Sequence, residues 1–192
     1  MVQAVLGGGG QTLDETYAKG FGGARGTVLD VGSGPIQETP LPEGTLIGFD
    51  VNTAYVQRYV SAVETPGCRL LGVVGSGVAL PFPEATFDEC RSVAVLHHLP
   101  DELASEIVRE MVRVLKPGGR LSLFDMVRPK SFGAGPLASM LCSLDRGRHV
   151  RTGAAFAGLV REAHDADWSE DSMVYAWPRL RGLLMVHRKP SS

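Results

Sequence analysis

The chain lacks any apolar run near the roughly 20 residues that a membrane-spanning helix needs, so no insertion into a bilayer is expected. Its start, Met1 to Leu6, has no basic residues and is too short for a secretory leader, and a cytoplasmic location is expected on that ground. Cysteine is scarce. Cys68, Cys90 and Cys142 are scattered, odd in number and without CxxC or histidine-paired spacing. They read as reduced thiols, and neither a disulfide framework nor a metal site is expected. Charge of one sign is also missing. Lys and Arg number 19 against 21 Asp and Glu, a formal net charge of −2. No nucleic-acid partner is expected from such a balance. Apart from the glycines near the start, there is no repeat or low-complexity stretch.

What is present suits one soluble globular domain. The 192 residues are 44% hydrophobic and 21% charged, enough for a single sizeable core. The first 26 residues carry Gly7 to Gly10 in a row and Gly20, Gly22, Gly23 and Gly26 after them. They read as a flexible lead-in with at most a short helix near Leu13 to Lys19, and the domain proper is taken as 27–192.

From Thr27 onward, β-prone runs alternate with helical patterns. Strands are expected at Thr27–Val31, Thr45–Asp50, Arg69–Val74, Phe87–Val95 and Arg120–Met126. Val56, Tyr59, Val60 and Val63 share one helix face, as do Leu103, Ile107, Met111 and Leu115, with Pro117-Gly118-Gly119 as the stop. Phe156, Leu159, Val160 and Ala163 mark a further helix. Ser172–Trp177 and Leu183–Val186 read as a closing hairpin around Pro178. Such alternation predicts a parallel sheet covered on both faces, with right-handed crossovers.

Ligands of open parallel sheets bind outside the carboxyl ends of the strands, where strand order reverses. The first strand ends in Asp30-Val31-Gly32-Ser33-Gly34, whose glycines let the backbone turn sharply and meet a ligand closely. The second ends in Asp50, twenty residues after Asp30, an acid suited to accept from ribose hydroxyls. A dinucleotide fingerprint needs glycine at 37, where Gln37 stands. It also needs a full helix after the first strand, and Pro35 to Gly44, interrupted by Pro40 and Pro42, leaves little room for one. There is no Tyr-x-x-x-Lys pair either. NAD is therefore disfavoured, and an NAD-dependent oxidoreductase is a remote alternative.

Three ordered motifs carry a resemblance. Val28-Leu29-Asp30-Val31-Gly32-Ser33-Gly34 resembles the first motif of class I S-adenosylmethionine-dependent methyltransferases. Ala79-Leu80-Pro81-Phe82-Pro83, through Phe87-Asp88 to Leu96-His97-His98-Leu99-Pro100, resembles their middle motifs, and Val114 to Leu121 the turn before their fifth strand. The likeness spans about residues 27 to 126 and is nearest to the ubiquinone and menaquinone C-methyltransferases. It implies a Rossmann-like, doubly wound, mostly parallel seven-stranded α/β sheet with a C-terminal antiparallel hairpin strand. It implies S-adenosyl-L-methionine as cofactor and methyl transfer to a small-molecule acceptor by direct displacement.

Site roles follow from the same resemblance. Asp30, Gly32, Ser33 and Gly34 border the methionine end of the cofactor. Asp50 holds the ribose, Val51 and Asn52 lie against the adenine, and Gly75, Ser76 and Gly77 edge its other side. Ser92 through His97 face the cofactor or the acceptor. His97, His98 and Asp125 are the candidate bases, because histidine titrates near neutrality and Asp125 closes the fifth strand. Arg128, Lys130, Arg146, Arg148 and Arg151 follow that strand with Asp145 as the only acid between them, a pattern that fits either a solvated basic face or an anionic acceptor. Phe132, Leu137, Met140 and Leu141 are spaced like a small lid helix.

Two positions depart from the pattern. Ile36 stands where a third glycine is usual, and Ser76 where Asp is common. Together with the lean first crossover they motivate an alternative, a non-catalytic cofactor-binding partner subunit or sensor. If the shortened helix weakens support for the cofactor's carboxylate, Tyr17, Lys19 or Arg25 is the expected substitute.

Overall fold

The computed structural model describes residues 13–35, 39–61, 66–128, 149–175 and 180–191. The strands are β1 (Arg25–Val31), β2 (Glu43–Asp50), β3 (Cys68–Val74), β4 (Phe87–Val93), β5 (Leu115–Arg128), β6 (Arg151–Thr152), β7 (Ser169–Tyr175) and β8 (Leu180–Arg188). The helices are α1 (Leu13–Phe21), α2 (Thr53–Val60), α3 (Asp101–Val114) and α4 (Gly153–Ala163). A 3₁₀ turn covers Leu96–His98.

One sheet runs in the order β3-β2-β1-β4-β5-β8-β7, with the two-residue β6 pairing on β5. The expected seven-strand path is there, and β6 is an eighth member that two residues could not announce. β1 to β5 pair in parallel, whereas β8 is antiparallel to both β5 and β7. The order reverses beside β1, between β2 and β4, which puts a switch point at the glycine turn after Val31.

Strand alternation sorts the core into two layers. Leu29, Val31, Phe49, Leu121, Leu123, Leu183 and Met185 pack with Ile107, Val108 and Met111 of α3 and Phe156 and Val160 of α4. On the opposite face, Phe124, Leu184 and Met173 meet Tyr17 and Phe21 of α1. Val28 and Leu46 meet Tyr59 of α2 there. Within the glycine-rich opening, α1 is thus a packed element, with Phe21 fully buried.

Boundaries differ from the sequence reading where irregular backbone intervenes. The β5 ladder starts at Leu115, and a register shift between Phe87 and Glu89 absorbs Pro117-Gly118-Gly119 as a bulge. Gly118, at φ 78°, supplies the left-handed residue that a bulge uses. α2 ends at Val60. Val63, the expected lid residues and Trp177 lie outside the described residues. No helix follows β1 among the described residues, and Thr39 to Pro42 approach β2 without regular structure.

Candidate active site

The turn after β1 is tied to β2 by its own backbone. Gly32 N and Ser33 N both donate to Phe49 O, at 2.7 and 3.1 Å. Gly32 has φ 73°, and a Cβ there would stand 2.4 Å from Val95 Cγ2, so only glycine closes this turn. Gly34 has φ 62°, and nothing lies within 4 Å of where its Cβ would point. That side of the turn is open. A cavity of about 260 Å³ lies against it, lined by Asp30, Gly32, Ser33, Gly34, Thr39 and Val93 among others.

Asp50 bridges the switch point. Its Oδ2 accepts from Gly34 N at 3.1 Å and its Oδ1 from Asn52 N at 2.8 Å. The carboxylate is therefore locked in place, and each oxygen keeps a lone pair for a hydroxyl. Gly75 N donates to Asp50 O at 3.1 Å, bringing the end of β3 alongside. Val51 is 71% exposed and Val74 48% exposed at these neighbouring strand ends. Two bare valines beside a ribose-sized acid make an apolar shelf for a purine. Gly77 sits against Ile107 and Val31, where a Cβ would be crowded at 3.2–3.3 Å.

Two residues expected at the cofactor also make structural hydrogen bonds. Asn52 is the N-cap of α2, its side chain accepting from Ala54 N and Tyr55 N, so its amide serves the helix start. Ser92 is buried and its hydroxyl donates to Val31 O at 2.9 Å, pinning β4 to β1. Asp30 is also buried. Its Oδ2 accepts from Tyr59 Oη at 2.9 Å, and Arg91 Nε stands 3.9 Å from the same oxygen. Burial pushes the Asp30 carboxyl up, against the pull of Arg91 and the Tyr59 hydrogen bond.

The candidate bases resolve into a pair and a neighbour. Asp125 accepts from His97 N at 2.8 Å through Oδ2, and its Oδ1 meets His97 Nδ1 in a short contact. Both side chains are buried. His98 is exposed, its ring centroid 4.0 Å from that of His97. Arg151 fixes this corner, donating to Leu96 O and Leu99 O at 2.7 Å each and to Asp101 Oδ1 at 2.8 Å. His149 N adds a bond to His97 O at 3.0 Å. Arg151, grouped with the acceptor-facing arginines in the sequence, is a buried brace instead. Its spacing gave no hint of that, because the carbonyls it holds are more than fifty residues away.

Lys19 and Arg25 do not stand in for a missing helix. Lys19 pairs with Asp171 on β7 at 2.5 Å, and Arg25 faces Glu43 at the opposite end of β1 from Gly32. Tyr17 is packed between Phe21 and Phe124.

With this geometry in place, the likeness to known proteins can be read. The methyltransferase domain family matches residues 29–123, from the middle of β1 into β5. Residues 29–123 are thus similar to a methyltransferase domain. It is 28% identical over 181 residues to the 27-O-demethylrifamycin SV methyltransferase of Amycolatopsis mediterranei, covering 81% of this chain and 62% of that one. It is 33% identical over 89 residues to the demethylmenaquinone methyltransferase of Listeria welshimeri, covering 46% and 37%. The chain therefore spans less than two thirds of either relative. Among solved structures, a SAM-dependent methyltransferase of Methanosarcina mazei superposes with a TM-score of 0.65 at 19% identity, over 86% of this chain and 93% of that one. The [4+2]-cyclase SpnF superposes at 0.68 and 16% identity, over 94% and 80%. These two show the fold alone, and the second shows that the fold does not dictate the reaction.

The family cofactor is S-adenosyl-L-methionine, and the residues present fit it. Asp50 offers a locked ribose acceptor, Val51 and Val74 an apolar shelf, and the open side of Gly34 a close approach for the methionine end. Among the described residues, no helix is long and apolar enough to cross a membrane.

Proposed function

We propose that this protein transfers a methyl group from S-adenosyl-L-methionine to a small, anionic acceptor, with His97 as the base. The observation that carries the reading is the Asp50 carboxylate bonded to Gly34 N and Asn52 N across the switch point. Held there by Asp50, with Val51 and Val74 against its base, the cofactor would supply an electrophilic sulfonium methyl to the acceptor's nucleophilic atom and leave as S-adenosylhomocysteine.

The chain's own residues align the partners and move one proton. Asp125 holds His97 Nδ1–H, which leaves Nε2 as the lone-pair nitrogen. The acceptor's proton passes to Nε2 as the methyl bond forms, and Asp125 stabilises the imidazolium. Arg151 and His149 keep the His97 turn from shifting, which limits the motion that misaligned acceptors exploit.

The anionic class rests on a second cavity. A groove of about 650 Å³ lies between α4 and the β7–β8 edge, reached from the end of β5 at Val127 and Arg128. Arg128, Arg161 and Arg181 line it against one acid, Glu170, which pairs with Arg161. Arg128 and Arg181 thus leave a net positive lining, suited to a carboxylate or phosphate.

Calorimetric titration with S-adenosylhomocysteine tests the first half. Micromolar binding by the wild type, lost in Asp50→Ala while NADH binds neither, is the expected result. Transfer of labelled methyl from the cofactor to a panel of small phenolic, enolic and carboxylate-bearing acceptors tests the second. Binding without transfer to any of them would reject the transferase reading in favour of a non-catalytic cofactor-binding subunit.

A further inference from the structure

The face of β4 that looks toward α1 and α2 carries Glu89 and Arg91, charges in the middle of a sheet. Glu89 is answered by Arg120 on β5. Arg91 is not answered in the same way. It is fully buried, the bulkiest such side chain in the molecule's described part, and its Nη1 donates to Pro40 O at 2.9 Å. Nε and Nη2 have no hydrogen-bond partner among the described residues.

A buried, half-satisfied guanidinium carries a large desolvation cost. Filling space cannot explain it. The connection from β1 to β2 has no helix among its described residues, and an aliphatic side chain would fill that gap without the penalty. What Arg91 has that an aliphatic residue lacks is charge, and the nearest acid is Asp30, paired with it in register across β1 and β4. Asp30 lines the cavity beside Gly32 and Gly34.

We propose that Arg91 is a positioning residue for the cofactor, acting through Asp30: it holds that carboxylate ionised and in place to receive the ammonium of the methionine end. This rests on the reading of the cavity as the cofactor site. Tyr59 occupies Oδ2 of Asp30, so Oδ1 is the oxygen left for a ligand. Burial works against the anion, and the charged and titratable groups that face it are Arg91 and Glu89 from β4, Asp50 from β2 and Tyr59 from α2. Of these only Arg91 is a cation. Lys19 and Arg25 are committed elsewhere.

The test is S-adenosylhomocysteine binding by calorimetry between about pH 5 and pH 8, for the wild type, Arg91→Met, Arg91→Gln and Arg91→Lys. Removing the cation raises the Asp30 pKa, so binding by the two neutral variants weakens progressively as pH falls. A one-unit rise gives roughly a tenfold loss on the acid side. Arg91→Lys keeps the wild-type profile, because charge rather than shape is at work. Thermal melts check that each variant folds. A neutral variant that folds and binds with the wild-type pH profile overturns the proposal, as does a loss equal at every pH. A lysine variant that behaves like the neutral ones also overturns it. If none of the three variants folds, Arg91 serves the fold alone and the proposal fails. Absence of binding by the wild type would instead reject the cofactor site itself.

Discussion

At the scale of single residues, the chemistry depends on which nitrogen of His97 is left for the acceptor. Asp125 takes the Nδ1 side and the backbone N–H of the same residue, so one carboxylate sets both the ring's tautomer and its place. Asp125→Asn keeps the shape but presents an amide N–H to Nδ1, which forces the proton onto Nε2. If a base is needed, kcat falls by about 10²–10⁴-fold while S-adenosylhomocysteine affinity stays near wild type. Single-turnover methyl transfer and calorimetry together read this split. A kcat within about threefold of wild type would show that alignment suffices without proton removal.

The residues themselves were unevenly legible. Asp30, Gly32, Gly34 and Asp50 announce themselves because their roles are backbone geometry and strand-end position. The capping role of Asn52 has a local signal, since Asn just before a helical pattern is a cap. Ser92, Arg91 and Arg151 had no such signal. Their partners, Val31, Asp30 and Leu96, come to them only through strand register or across more than fifty residues.

At the scale of elements, the connection between β3 and β4 is held without a helix of its own. Glu110 on α3 accepts from Leu80 N at 2.8 Å, and Arg113 donates to Leu80 O and Phe82 O at 3.0 and 2.9 Å. The two also pair with each other at 2.7 Å. The spacing of Leu103, Ile107, Met111 and Leu115 predicted α3, but not that its solvent edge would clamp the loop carrying Gly75 to Gly77. The Arg113 hydrogen bond, with Leu80 N–H and despite some burial, holds the Glu110 carboxyl below its ordinary value. A depressed acid contributes stability above its unfolded value, about 4.3, and that contribution is lost as pH falls through the folded value. Glu110→Gln should therefore cost about 1 kcal/mol at pH 7, the pair being 20–31% exposed and partly screened. Its melting temperature should converge on the wild type's as pH falls below the ordinary carboxylate range. A gap that stays constant from neutrality into acid would show that the charge contributes nothing.

At the scale of the whole molecule, the mostly parallel sheet with its closing hairpin was legible because alternation of strands and helices leaves few ways to bury both faces. The eighth strand and the bulge at Gly118 were not, because two residues of pairing and one of positive φ leave no periodic trace. The same order places Asp30, Asp50, His97 and Asp125 on four different strands or their ends, at one edge of one fold. A ligand bridging them binds the native state and has no counterpart in the unfolded chain, so it must stabilise the whole by mass action. At about a hundredfold excess over its dissociation constant, S-adenosylhomocysteine should add about 2.7 kcal/mol. For a domain of this size that raises the melting temperature by roughly 5–10 °C. NADH at the same concentration should leave it unmoved, and so should S-adenosylhomocysteine with Asp50→Ala. A rise with NADH alone would return the glycine turn to dinucleotide binding. Equal rises in wild type and Asp50→Ala would place the ligand somewhere other than the switch point, because a site there cannot lose its ribose acceptor without loss of affinity.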